Sequence, residues 1–131
     1  MRLLTLALAA ILATGIGLRP VWSAFYPSCN KPLKGWLQPK DKIPHHAVAV
    51  TIALGWNKAL WWNNGAVNWS EFQKLLNASA KSTERAFWIL KPNPVADCKD
   101  VNWVRYEMER ALACSKGWCG EGDGIWEWNS R

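Results

Sequence analysis

The stretch from Ala47 to Leu90 constrains the fold more than any other. Val48, Val50, Ile52 and Leu54 alternate with Ala47, Ala49, Thr51 and Ala53. A period of two, with branched side chains on one side, predicts a strand. The other side is small but not polar, so it too is a surface that can be covered. Gly55 to Lys58 reads as a turn, and Ala59, Leu60, Trp61 and Trp62 as a second strand closing a hairpin. Asn63, Asn64 and Gly65 end that strand, because Asn and Gly tolerate positive φ cheaply. Asn68 stands where a helix N-cap belongs, with Glu71 three residues on, the spacing of a capping box. Trp69, Phe72, Leu75, Leu76 and Ser79 then follow the spacing of one helical face. Phe87 to Leu90 is a short apolar run cut off by Pro92 and Pro94, which predicts a strand.

The remainder extends this order. Asp97 or Asp100 can cap a second helix carrying Val101, Val104, Met108, Ala111 and Leu112 on one side, with Arg105, Glu109 and Arg110 largely on the other. Gly117 is a plausible stop, and Gly120, Gly122 and Gly124 read as a flexible link. Ile125 to Trp128 alternates like a last strand. The expected order is β-β-α-β-α-β, whose final crossover should be right-handed. Two amphipathic helices on one face of a four-stranded mixed sheet make an α+β two-layer sandwich.

The N-terminal region reads differently. Met1-Arg2 is a short positive start, Leu3 to Leu18 is almost wholly apolar, and Val21, Trp22 and Ser23 resemble a cleavage site. This is the pattern of a signal peptide over 1–23. The rival is an uncleaved anchor, for which the run falls short of the roughly 20 apolar residues of a spanning helix. Either reading exports the rest of the chain. Residues 24–46 carry Pro27, Pro32, Pro39 and Pro44 among four lysines. They read as a tether, on which Trp36 and Leu37 have the means to dock. Residues 47–131 form the domain.

Four cysteines all follow the export signal, which suggests disulfides. Cys98 and Cys114 sit at opposite ends of a helix, roughly 20 Å apart at ~1.5 Å per residue. A disulfide needs Cα atoms within about 7 Å. That favours Cys114 with Cys119 and leaves Cys29 for Cys98. Zinc is disfavoured, since only His45 and His46 are present and no C-x-x-C pair exists.

Residues 24–131 hold 14 Lys and Arg against 10 Asp and Glu, a mildly basic balance of about +4 without a Lys/Arg-rich tract, so nucleic acid is not an expected partner. The chain has no G-x-S-x-G, H-E-x-x-H or phosphate loop, and the expectation is no enzyme and no cofactor. Glu107, Glu109, Glu121 and Asp123 read as solvated helix and loop acids. His45-His46 stands before the first strand without an acidic or thiol companion and reads as solvated loop. The eleven tryptophans are the compositional anomaly. Most fit core or dimer packing in a small domain, while Trp56, Trp61, Trp126 and Trp128 form a candidate glycan- or partner-binding surface.

Taken in order, these segments resemble the periplasmic domain of the ExbD/TolR family. Ala49 to Ile52 followed by Gly55 is similar to its first strand and turn, and Leu60 to Val67 to its second strand with the asparagine-glycine turn. Ser70 to Phe72 with Leu75 and Leu76 resembles its first helix, and Phe87 to Leu90 its third strand. Trp103 to Leu112 resembles its second helix, and Gly124 to Trp128 its last strand. The resemblance implies a periplasmic module of envelope transport or energy transduction. Its implied partners are a second copy of itself, an ExbB/TolQ-like or TonB-like inner-membrane protein, and peptidoglycan. In that family a membrane helix bearing an aspartate precedes the domain, whereas Leu3 to Leu18 holds no acidic residue. Proton conduction by this chain is therefore not expected. The rival readings are a Trp-rich secreted module binding glycan or peptidoglycan, and a small disulfide-stabilised effector.

Overall fold

A computed structural model describes residues 33–44, 47–84 and 86–129. The signal or anchor, Cys29 and His45-His46 lie outside the described residues. At the centre, strand β1 (Val48–Leu54) pairs in parallel along its whole length with β4 (Ala86–Pro92), from Val48 opposite Ala86 to Leu54 opposite Pro92. On its other side β1 pairs antiparallel with β2 (Leu60–Trp62), which pairs antiparallel with β3 (Gly65–Val67). Beyond β4 lies β5 (Cys119–Glu121), again parallel. The spatial order is β3-β2-β1-β4-β5. Helix α1 (Trp69–Ala80) precedes β4, and α2 (Cys98–Ala111) joins β4 to β5.

The described residues are thus α+β, with two helices and a mixed sheet, but the sheet has five strands rather than four. The additional strand is β3. Asn63, at φ 55°, makes a turn rather than an end. Its side-chain oxygen accepts from the Thr51 amide at 3.0 Å, and its own amide donates to the Thr51 carbonyl at 2.6 Å. The turn is thereby tied to β1, and the chain returns at once as Gly65–Val67. Three residues are too few to display a period, so the sequence pattern does not reveal this strand.

The last strand also differs from expectation. It is Cys119–Glu121, inside the glycine-rich stretch, and not Ile125–Trp128. Gly120 is required there by close approach. A Cβ at this position would meet the Trp126 ring at 2.5 Å, the Phe87 ring at 2.9 Å and the Leu37 carbonyl at 3.0 Å. Trp126 folds back over β5, its Nε1 donating to the Gly122 carbonyl at 3.1 Å. Trp128 makes only an isolated bridge with Ile43.

Register assigns the faces, because residues directly opposite in a sheet point to the same side. Ile52, Leu54, Leu60, Trp88 and Leu90 lie on the helix side and bury against Phe72 and Leu76 of α1 and Val101, Val104 and Met108 of α2. Phe87 and Ile89 point the other way, into a smaller cluster with Ile43 and Ala47, bordered by Leu37, Ala49, Trp118 and Trp126. The small-residue side of β1 is therefore covered in part.

Both helices are capped as their sequences predict. The Asn68 side chain accepts from the Glu71 amide at 2.8 Å, and Glu71 accepts from the Asn68 amide at 3.1 Å. Asp97 accepts from the Lys99 amide at 2.9 Å.

Residues 33–44, within the segment read as a tether, wrap the β5 edge. The Trp36 ring is buried on the helix side, and its Nε1 donates to Glu109 at 3.1 Å. The Leu37 amide donates to the Cys119 carbonyl at 2.9 Å, and the Leu37 carbonyl accepts from the Glu121 amide at 3.0 Å. Ile43 is buried on the opposite side. Cys114 and Cys119 are joined, with Cα atoms 4.6 Å apart, as helix geometry predicts. Cys98 is disulfide-bonded as well, and the expected pairing with Cys29 falls on a residue outside those described.

Candidate functional site

Strand and helix termini bring polar side chains together at one end of the sheet. The β1–β2 connection is the short turn Trp56–Lys58, in which Asn57 and Lys58 both adopt left-handed backbone, at φ 55° and 63°. The Gly55 amide donates to the Ala59 carbonyl at 2.8 Å, closing the turn. Two contacts hold it against α1. The Trp69 Nε1 donates to the Lys58 carbonyl at 2.7 Å, and the Lys58 ammonium lies 5.5 Å from the centre of the Trp69 ring. Trp69 in turn packs on Trp103 of α2, with ring centres 4.1 Å apart. The turn is therefore fixed from both helices.

Facing this turn is the start of α2. Trp56, Asn57 and Lys58 on one side, and Val95, Asp97, Lys99 and Asp100 on the other, enclose a cleft of about 520 Å³. Trp56 is 71 % exposed. Asp97 is engaged as the helix cap. Asp100 is only 8 % exposed, yet its carboxylate has no hydrogen-bond or ion-pair partner among the described residues. The start of the helix dipole favours a negative charge there, and the carboxylate oxygens keep contact with solvent.

The other expected surface tryptophans are held by different elements. Trp61, 38 % exposed, lies on the helix-free face of β2, opposite Ala53 and Ala66. Trp126 packs on Phe87 with ring centres 5.6 Å apart. Trp128 is 50 % exposed beside Ile43. No ring contact joins any two of Trp56, Trp61, Trp126 and Trp128 among the described residues.

Two acids and an arginine read as solvated are internal. Leu90 stands opposite Glu121, which puts Glu121 on the helix side of β5. Arg105 follows Val101 by one helical turn and points the same way. It is 1 % exposed. Its Nε donates to Glu121 Oε1 at 2.6 Å, its Nη2 pairs with Oε2, and its Nη1 donates to Asn102 at 3.2 Å. Glu107 is also largely buried and pairs with Arg110 at 2.8 Å. A helical wheel sees only which residues are apolar. It cannot anticipate that a strand will present a carboxylate to the helix, and that pairing is what allows the charge inside.

Glu121 also borders a second cleft of about 430 Å³, between Pro39, the Pro92–Pro94 segment and Gly122–Gly124. A third, of about 320 Å³, opens between α1 and the first residues of β1 and β4, where Val50, Trp62, Leu75 and Trp88 line it. Among the described residues, no helix is long and apolar enough to cross a membrane, and no three His, Cys, Asp or Glu side chains gather as metal ligands. No protein-family model and no curated protein matches the chain.

Proposed function

We propose that this chain is a non-enzymatic, periplasmic module of ExbD/TolR type, serving as a scaffold in envelope transport or energy transduction without conducting protons itself. The observation that carries the reading is the order of elements. The segments resembling the family's strands and helices fall, in sequence, on β1, on the β2–β3 hairpin, on α1, on β4 and on α2. Gly124–Trp128 is the segment that departs, since β5 lies earlier. Its partners in this reading are a second copy and an ExbB/TolQ-like or TonB-like protein of the inner membrane. Leu3 to Leu18 offers only Thr5 and Thr14 as polar side chains. A threonine hydroxyl does not titrate near neutral pH, and proton transfer at membrane depth needs a group that does.

Complementation of a strain lacking its ExbD or TolR tests both halves of the proposal. The native chain, exported at normal levels, should fail to restore proton-dependent uptake. A chimera in which an ExbD-type helix bearing its aspartate replaces residues 1–23 should restore it. Full restoration by the native chain refutes the non-conducting role, and failure of both refutes the scaffold.

A second reading, a glycan-binding module, is favoured by the exposure of Trp56, Trp61 and Trp128, at 71 %, 38 % and 50 %. Large aromatic faces are costly to leave in water in a domain this small unless they stack on something. Retention of the purified protein on isolated cell wall separates the readings, because only this one requires direct glycan contact.

A further inference from the structure

We propose that the cleft between the Trp56–Lys58 turn and the first turn of α2 is a binding site for a neutral saccharide, an inference that rests on the glycan-binding reading and gives it a location. Three features of the cleft carry it. The first is Asp100, a residue 8 % exposed that lines the cleft and whose carboxylate makes no hydrogen bond or ion pair with the described residues. Its oxygens keep contact with solvent, so they are open to donors from a ligand seated in the cleft. Asp97 already caps the helix, so Asp100 is not needed for that task.

The second feature is Trp56, which lines the same cleft with 71 % of its surface exposed. An indole face stacks on the apolar face of a pyranose ring, while the hydroxyls around the ring edge turn to polar neighbours. The third is the charge balance of the lining. Two carboxylates, Asp97 and Asp100, stand with two ammonium groups, Lys58 and Lys99, and with the Asn57 amide. An anionic ligand meets the two aspartates, and a cationic one meets the two lysines. A neutral polyol has both donors and acceptors to satisfy such a set, with a hydroxyl donating to Asp100 and ring or hydroxyl oxygens accepting from Lys99 or Asn57. The volume, about 520 Å³, falls within the ordinary range of about 300–1,000 Å³ for small-ligand sites. The turn is held in advance by Trp69 and its bond to the Lys58 carbonyl, so little ordering is left for binding to impose.

Calorimetric titration of the full chain with chitotetraose, cellotetraose and maltotetraose tests the site. At least one of these should bind. Trp56→Ala and Asp100→Asn should each weaken it about tenfold or more, Trp56→Phe should recover most of the loss, and Trp128→Ala should leave it unchanged. Trp56 is exposed on a turn, so its variants fold even where an Asp100 substitution disturbs the helix start. Binding that survives Trp56→Ala and Asp100→Asn but is lost with Trp61→Ala or Trp128→Ala overturns the site and leaves the glycan-binding reading standing. Retention on cell wall without binding of any tetrasaccharide does the same. No binding to tetrasaccharides or to cell wall overturns both.

Discussion

Arg105 and Glu121 show how much a single pair decides in this domain. A buried ion pair is stable only while both members are present and their remaining hydrogen-bonding groups are satisfied. Here the contacts of the guanidinium include two to Glu121 and one to Asn102. Glu121→Ala should therefore destabilise the protein by about 3–5 kcal/mol, because it removes the carboxylate that balances a buried guanidinium. The double variant Arg105→Met, Glu121→Leu should recover most of that loss, since it removes both charges and refills the space. Urea denaturation monitored by circular dichroism checks both. A single variant as stable as wild type would place the pair in solvent. Gly120 is a second such position. Its missing Cβ is what admits Trp126, Phe87 and the Leu37 carbonyl to the same strand.

Among the elements, β1 carries the most. It is hydrogen-bonded on both sides, and its branched residues meet both helices. Ile52 lies at its middle, fully buried and opposite Trp62 on one neighbour and Leu90 on the other. Ile52→Asp should unfold the domain, because burying an unpaired carboxylate costs several kcal/mol of a total of about 5–15 kcal/mol. Loss of the cooperative thermal transition is the expected result. This element and the two helices were legible in the sequence because each repeats its period long enough to be counted. β3 and β5 were not, at three residues each. β5 is further disguised by Gly120, which reads as a link when only local propensity is considered.

Across the whole molecule the sheet is asymmetric. Its β5 edge is covered by the strap through Leu37 and stapled by the Cys114–Cys119 disulfide, whereas β3 is a short edge. Local stability should follow. In native-state hydrogen exchange the amides of β1 and β4 should be the slowest and those of Gly65–Val67 among the fastest of the sheet. Equal protection of β3 and β1 would mean that the β3 edge is covered in solution, as strand pairing with a second copy would do. The strap leaves β3 as the edge where such pairing meets least obstruction.

By itself the sequence determined the central strand, both helices with their caps, the α+β class and the Cys114–Cys119 bridge. Each of these rests on neighbours within a few positions of one another, where periodicity, capping chemistry and helix length act directly. Tertiary structure alone decided the rest. It made Gly120 a strand residue by bringing Trp126 over it, and drew Arg105 inside by presenting Glu121 from β5. It also set Trp56 across a cleft from Asp100, more than forty positions along the chain. Those outcomes depend on which strand lies beside which, and the free energy that selects them comes from contacts between segments that no local pattern records.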